Sequence, residues 1–139
     1  MKIRKSVGAF IKNKKGKYLI IHSKKYWDIP KGGVEKGESL VQAIKRELKE
    51  ELGIDRFGRI EDLNLSFYYD YPDKLKDELG FSGQKVQIFY VEYIGKDNEI
   101  KIDDKEIIGF MFLGKKEFLK KLSYNTTKKA FKKLLSSSS

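Results

Sequence analysis

No cysteine occurs in the 139 residues, so a disulfide framework and any thiolate-bound metal are both excluded. A single histidine, His22, leaves no histidine cluster to hold a soft or borderline metal, and it is assigned no chemistry. Only two prolines are present, too few for a proline-rich disordered chain. Long apolar runs are missing as well. The longest, Ile107 to Leu113, is interrupted by Gly109 and suits a strand, far short of a membrane span. The basic start, Met1 to Lys5, is followed by no apolar signal-peptide core before Asn13 and Lys14, so a cytoplasmic protein is expected. Acids are scarce beside bases. Thirty Lys and Arg face twenty Asp and Glu, a net charge of +10. Such an excess suits a polyanionic partner, and it equally suits a surface that is simply rich in lysine.

Much of that charge is local: between Lys115 and Leu135 there are eight lysines and one acid, Glu117. The hydrophobic share of 40% and aromatic share of 13% are those of a folded chain, and the length fits one domain over residues 1–135, with 136–139 as a flexible tail. Val7–Ile11 and Lys17–Ile21 are apolar runs joined by Asn13-Lys14-Lys15-Gly16, which predicts a hairpin. Tyr26–Ile29 reads as a short strand ended by Pro30. Leu63–Tyr71 and Gln84–Ile94 read as long strands, and the polar stretch Pro72–Gly83 between them as a connection suited to a substrate loop. Ile107–Leu113 is a further strand. The remainder is helical, with stripes at Phe118, Leu119 and Leu122 and at Phe131, Leu134 and Leu135.

The densest signal lies between Lys31 and Ile54. Lys31 to Glu38 contains three glycines in eight residues, which predicts a shaped loop rather than a regular element. From Ser39 to Leu52, Leu40, Ala43, Ile44, Leu48 and Leu52 recur at helical spacing, with Ser39 as N-cap and Gly53 as terminator. Glu47, Glu50 and Glu51 stand at i, i+3 and i+4 on the side away from Leu40, Ile44 and Leu48. Each like-charged pair at that spacing costs a helix about 0.2–0.5 kcal/mol, so a cation nearby would offset the cluster. Hard oxygen donors suit Mg²⁺, or Mn²⁺. Lys45, Arg46 and Lys49 are interleaved, however, as on many helices that merely stay solvated. The preceding glycines let the backbone approach a phosphate and could direct a carbonyl, that of Gly32, at a metal.

Gly32, five residues, Glu38, seven residues, then Arg46-Glu47-Leu48-Lys49-Glu50-Glu51-Leu52-Gly53-Ile54 resembles the Nudix box at every position. The resemblance implies an α/β fold, the Nudix α/β/α sandwich with a mixed sheet, and Mg²⁺-dependent attack of water on a phosphorus of a nucleoside diphosphate linked to another group. It implies Glu47, Glu50 and Glu51 as metal ligands, and a pairing of Glu38 with Arg46 that shapes the loop. Trp27-Asp28-Ile29-Pro30-Lys31-Gly32-Gly33, Phe67–Pro72 and Phe81–Tyr90 are similar to bacterial RNA 5′-pyrophosphohydrolases and dinucleoside polyphosphate hydrolases.

By the same resemblance Glu106, ahead of Ile107–Phe112, is a further metal ligand and general base, with Glu35 and Glu92 in reserve; the other reading is a solvated charge in Asp103–Glu106. Tyr124 matches the place of a base-stacking aromatic, although the family more often has Phe then Lys where this chain has Tyr124-Asn125. Tyr124 also suits plain core packing, and Trp27 a wall of the core or cleft. Arg4 and Lys31 suit phosphate contacts by charge and hydrogen bonding. The expected function is hydrolysis of a pyrophosphate linkage, in RNA 5′-triphosphate ends or in dinucleoside polyphosphates such as diadenosine tetraphosphate. Diphosphoinositol polyphosphates, nucleoside triphosphates, or a nucleotide- or RNA-binding module without turnover are the alternatives.

Overall fold

In the strand β1 (Lys2–Lys12), burial is continuous from Ser6 to Ile11, because both faces of this strand are covered. The computed structural model describes residues 2–103 and 105–137. The strand β6 (Phe81–Tyr93) runs parallel to β1, from Ile3 opposite Gly83 to Lys12 opposite Glu92. The long strand β5 (Phe57–Asp70) lies antiparallel on the far side of β6. At its other edge β1 meets β2 (Tyr18–Ser23) at one position, Lys12 opposite Tyr18. The predicted hairpin is therefore joined only at its tip. Beyond Tyr18 the two strands part: β2 pairs with β3 (Trp27–Asp28) and β7 (Ile107–Leu113), and β4 (Lys31–Gly33) takes up the edge of β1 at Ser6–Gly8.

Three expectations are corrected here. Lys31–Gly33, predicted as irregular loop, is strand, because the freed edge of β1 offers it hydrogen-bonding partners. The stretch Pro72–Gly83 is not an open loop: it holds the helix α2 (Asp73–Leu79), and Phe81–Gly83 already belong to β6. The strand before it begins at Phe57 rather than Leu63, with its register broken between Asp62 and Leu65. Asn64 there adopts φ 52°, and its amide donates to the Asp62 carboxylate at 2.9 Å, which explains why the alternation was illegible.

The helix α1 (Leu40–Leu52) covers one face of the sheet, burying Ala43, Ile44, Leu48 and Leu52 against Val7, Ala9, Ile11, Phe89 and Val91. Its ends are those predicted. The Ser39 side chain accepts from the Gln42 amide while Gln42 accepts from the Ser39 amide, and Gly53 closes the helix at φ 64°. The helices α3 (Lys115–Lys121) and α4 (Asn125–Ser137) cover the other face with Phe118, Leu122, Phe131 and Leu135, packed on Phe10, Ile20, Val86 and Ile88. The expected sandwich of helices about a mixed sheet is what forms. Ser136 and Ser137 continue α4, whereas Ser138 and Ser139 of the predicted tail lie outside the described residues. No described helix is long and apolar enough to cross a membrane.

Candidate active site

With one side of α1 committed to the core, Glu47, Glu50 and Glu51 are left together near its carboxyl end. That end carries the negative pole of the helix dipole, so acids there cost stability, by about 0.3–1 kcal/mol each. Glu51 carries the largest burden. Its Oε2 is buried with no hydrogen-bond partner among the described residues. Burial pushes its pKa up from the usual 4.5 to about 8, and the charge and contact of Glu47, then the charges of Asp103 and Glu106, push the same way. Two ionised carboxylates in contact repel; a proton or a cation between them removes the conflict.

Arg46 organises the neighbouring loop. Its Nε and Nη2 donate to Glu38 at 2.7 and 3.0 Å, its Nη2 also donates to the Gly33 carbonyl at 2.8 Å, and its Nη1 donates to Glu47 at 2.8 Å. Glu38 additionally accepts from the Glu35 amide at 3.0 Å. Hydrogen bonds from Arg46, then the Glu35 backbone, hold the Glu38 carboxyl below its usual range. One guanidinium thus ties the loop to the helix. Glu50 reaches the same guanidinium at 3.4 Å with a side chain 60% exposed, a link worth at most about 1 kcal/mol and easily exchanged for another cation. Gly32 lies flush against Glu47: a Cβ there would overlap the Glu47 carboxylate. A Cβ on Gly33 would meet the Arg4 guanidinium, so β4 is pressed between two arginines.

Where β1 and β2 part, a cleft of about 220 Å³ opens between β2 and β7 on one side and the β3–β4 segment on the other. Glu51, Glu106, Lys31, Asp28, Tyr26 and Tyr124 line it. Lys31 pairs with Asp28 at 2.7 Å, donates to the Tyr69 hydroxyl at 3.2 Å and stands over the Tyr69 ring. Burial would lower its pKa, but Asp28 and then Tyr69 outweigh that and the net direction is upward, so it remains a cation. Tyr124 packs against Tyr26, with centroids 5.0 Å apart, and edge-on against Tyr69 at 5.9 Å. Burial, then the neighbouring Tyr26 and Asp28, raise the Tyr124 pKa, so its hydroxyl stays neutral. Trp27 stacks on His22 and lies under the Lys121 ammonium, beside the cleft rather than in it.

The donor set fits a hard divalent cation. Glu51 offers an orphaned buried oxygen, the Glu47 carboxylate lies against the Glu51 side chain, and Asp103 and Glu106 add charge around it, all oxygen donors of the kind Mg²⁺ or Mn²⁺ takes. Among the described residues no three such side chains already converge into a metal cage, since Glu47 and Glu50 are drawn to Arg46.

A NUDIX domain model matches residues 2–134. The chain belongs to the Nudix family. It is 37% identical over 106 residues to an RNA pyrophosphohydrolase of Wolbachia pipientis subsp. Culex pipiens (strain wPip), a match covering 72% of this chain and 65% of that protein. It is 33% identical over 110 residues to an RNA pyrophosphohydrolase of Pelagibacter ubique (strain HTCC1062), covering 74% of this chain and 70% of that one. The chain thus spans about two thirds of the length of these curated relatives. The MutT protein from Methanosarcina mazei Go1 superposes with a TM-score of 0.76 at 23% identity, over 99% of this chain and 96% of that one, which bears on the fold alone.

Within this Nudix domain the residues singled out in the sequence divide into groups. Glu47 and Glu51 meet directly; Glu106, Lys31 and Tyr124 share the cleft with Glu51; Glu38 and Arg46 pair as expected. Arg4 reaches the loop over Gly33 but is not among the residues lining the cleft. Of the reserves, Glu35 is 67% exposed and 3.7 Å from Arg46, and Glu92 lies against Gly58 beside the Asn13–Gly16 turn, away from Glu51. Four contributors were missed: Asp28, Tyr69, Tyr26 and Asp103. Asp28 had a local signal, its i, i+3 spacing from Lys31; the tyrosines and Asp103 are brought in by tertiary contacts.

Proposed function

We propose that this chain is a pyrophosphohydrolase that uses a divalent cation, Mg²⁺ or Mn²⁺, to hydrolyse a pyrophosphate linkage at the 5′-triphosphate end of RNA. The observation that carries the reading is Glu51: a half-buried side chain with one buried, unpartnered carboxylate oxygen, beside Glu47 and facing a cleft that also holds a cationic lysine. A bound divalent cation would neutralise the polyphosphate and lower the pKa of its water. Glu47 and Glu51 would hold it, with Glu50, Glu106 and the Gly32 carbonyl as further ligands. Lys31, kept protonated by Asp28 and Tyr69, suits a phosphate oxygen at the cleft, and Arg4 suits one at its rim. Glu106, exposed at the mouth, is suited to take a proton from the attacking water. Tyr124 and Tyr26 offer a stacking surface to a nucleobase.

The RNA pyrophosphohydrolase relatives and the net charge of +10 support RNA over smaller nucleotides, and a cytoplasmic setting suits that substrate. Dinucleoside polyphosphates are the second reading, favoured by the tyrosine group at the cleft, which would serve a base whatever follows the phosphates. Triphosphorylated RNA, diadenosine tetraphosphate and nucleoside triphosphates incubated in parallel with Mg²⁺, and compared by kcat/KM, decide between them. RNA is expected to lead. Turnover of none of the three, or turnover that persists in chelator, would end the proposal.

A further inference from the structure

The cleft is small for a polymer. About 220 Å³ takes little more than the reacting end of a strand, so the rest of an RNA chain must run over the outer surface. The surface that borders the cleft through Tyr124 is the most basic part of the molecule. Tyr124 sits between α3 and α4, and these helices carry eight lysines against the single acid Glu117. Their apolar sides are spent on the core through Phe118, Leu122, Phe131 and Leu135. What remains outward is lysine: Lys116, Lys120, Lys121, Lys129, Lys132 and Lys133 are all exposed. None of these six forms an ion pair with a described residue, whereas Lys31 and Lys76 elsewhere do. Lys121 lies over the Trp27 ring at 4.4 Å, and Trp27 in turn exchanges hydrogen bonds with Ser123 of the α3–α4 linker. The basic ridge is thereby anchored to the strand that forms the cleft wall.

We infer that the outer faces of α3 and α4 form a docking surface for the RNA strand downstream of the reacting 5′ end. This rests on the RNA reading above and adds to it a second site, outside the catalytic cleft, that reads phosphate charge without base specificity. Continuity with the cleft and sign of charge select the occupant: a single strand leaving the cleft past Tyr124 meets a surface on which six exposed lysines outnumber the one acid Glu117, and cations spread over two helices suit a chain of phosphates better than one small anion. A consequence is length dependence. A substrate of one or two nucleotides cannot reach the ridge, whereas a strand of about twenty nucleotides spans it.

The test uses the full chain and a variant combining Lys116→Gln, Lys120→Gln, Lys129→Gln and Lys132→Gln, none of which lies in the catalytic machinery. Binding of a twenty-nucleotide 5′-hydroxyl RNA, measured by fluorescence anisotropy across a salt series, isolates the ridge from hydrolysis because that ligand has no pyrophosphate to cleave. The variant is expected to bind at least about tenfold more weakly, with the slope of log affinity against log salt reduced by about 3 for four lost phosphate contacts. The corresponding Lys→Arg variant should bind as wild type does. Equal nucleoside triphosphate turnover in all three proteins is the control for an intact fold. Should the wild type fail to bind the oligonucleotide, should the Gln variant bind it equally well, or should vesicles containing anionic lipid compete it off at lower concentration than RNA does, the docking surface is refuted. Failure of all hydrolysis with oligonucleotide binding preserved would instead count against the catalytic reading alone.

Discussion

Glu51→Gln removes the group that the metal-free fold tolerates least, so it should make the protein more stable while making it inactive. In the unfolded chain the carboxyl titrates near 4.5, and in the folded chain at about 8. Because the folded value is the higher one, the native state holds a proton that the unfolded state releases. The native state is therefore unpenalised below pH 4.5 and loses stability as pH rises from there to 8. At about 1.4 kcal/mol per unit, the ionised group costs on the order of 5 kcal/mol above pH 8. For a domain of this size that is about 10–20 °C in melting temperature. Glutamine stays neutral at all these values. In chelator, wild type and variant should melt together near pH 4, and the variant should melt well above wild type at pH 8.5. Mg²⁺ should then restore the wild type by preferential binding to the folded state and do little for the variant. Thermal denaturation at four pH values with and without Mg²⁺ reads all of this. A pair of melting curves that stay together from pH 4 to 8.5 in chelator would refute the buried, charge-crowded carboxylate on which the site rests.

Gly32→Ala places a methyl where the Glu47 carboxylate lies; that side chain can swing aside, so the melting point should change little while kcat/KM falls by about 100-fold, as read by a phosphate-release assay. Glu38→Gln removes the bidentate anchor of Arg46, and hydrogen exchange at residues 33–38 should accelerate together with a drop in kcat of about tenfold or more. Lys31→Met should raise KM for a triphosphate substrate by about tenfold or more. Because Asp28 and Tyr69 hold the Lys31 ammonium above its usual range, the wild-type KM should stay flat through pH 10, and a rise below that would contradict the pairing. Glu106→Gln alters an exposed side chain and should lower kcat with an unchanged melting temperature; loss of fold would contradict its placement at the cleft mouth.

Short-range features are legible in the sequence. Ser39 and Gly53 cap α1 through contacts within five residues, and the period of Ala43, Ile44, Leu48 and Leu52 sets which side faces the core. The stacking of Glu47, Glu50 and Glu51 follows from that same period, and so does the reach of Arg46 to Glu50. Strand content was legible where alternation or continuous burial was regular, as in Ile107–Leu113. It failed at Asn64, where a left-handed residue breaks the pattern, and at Lys31–Gly33, which is strand only because another strand offers it an edge.

What helix periodicity and capping decide, then, is settled by the order of amino acids, because each partner lies within a turn or two of the next. The parallel match of β1 with β6 joins residues some eighty positions apart, and no local preference encodes it. The meeting of Tyr26, Tyr69 and Tyr124, the approach of Asp103 and Glu106 to Glu51, and the burial that raises Glu51 to about 8 depend on that long-range closure. Displacement of water contributes most to that pKa and crowding by Glu47, Asp103 and Glu106 adds to it, and only the assembled layers bring either about.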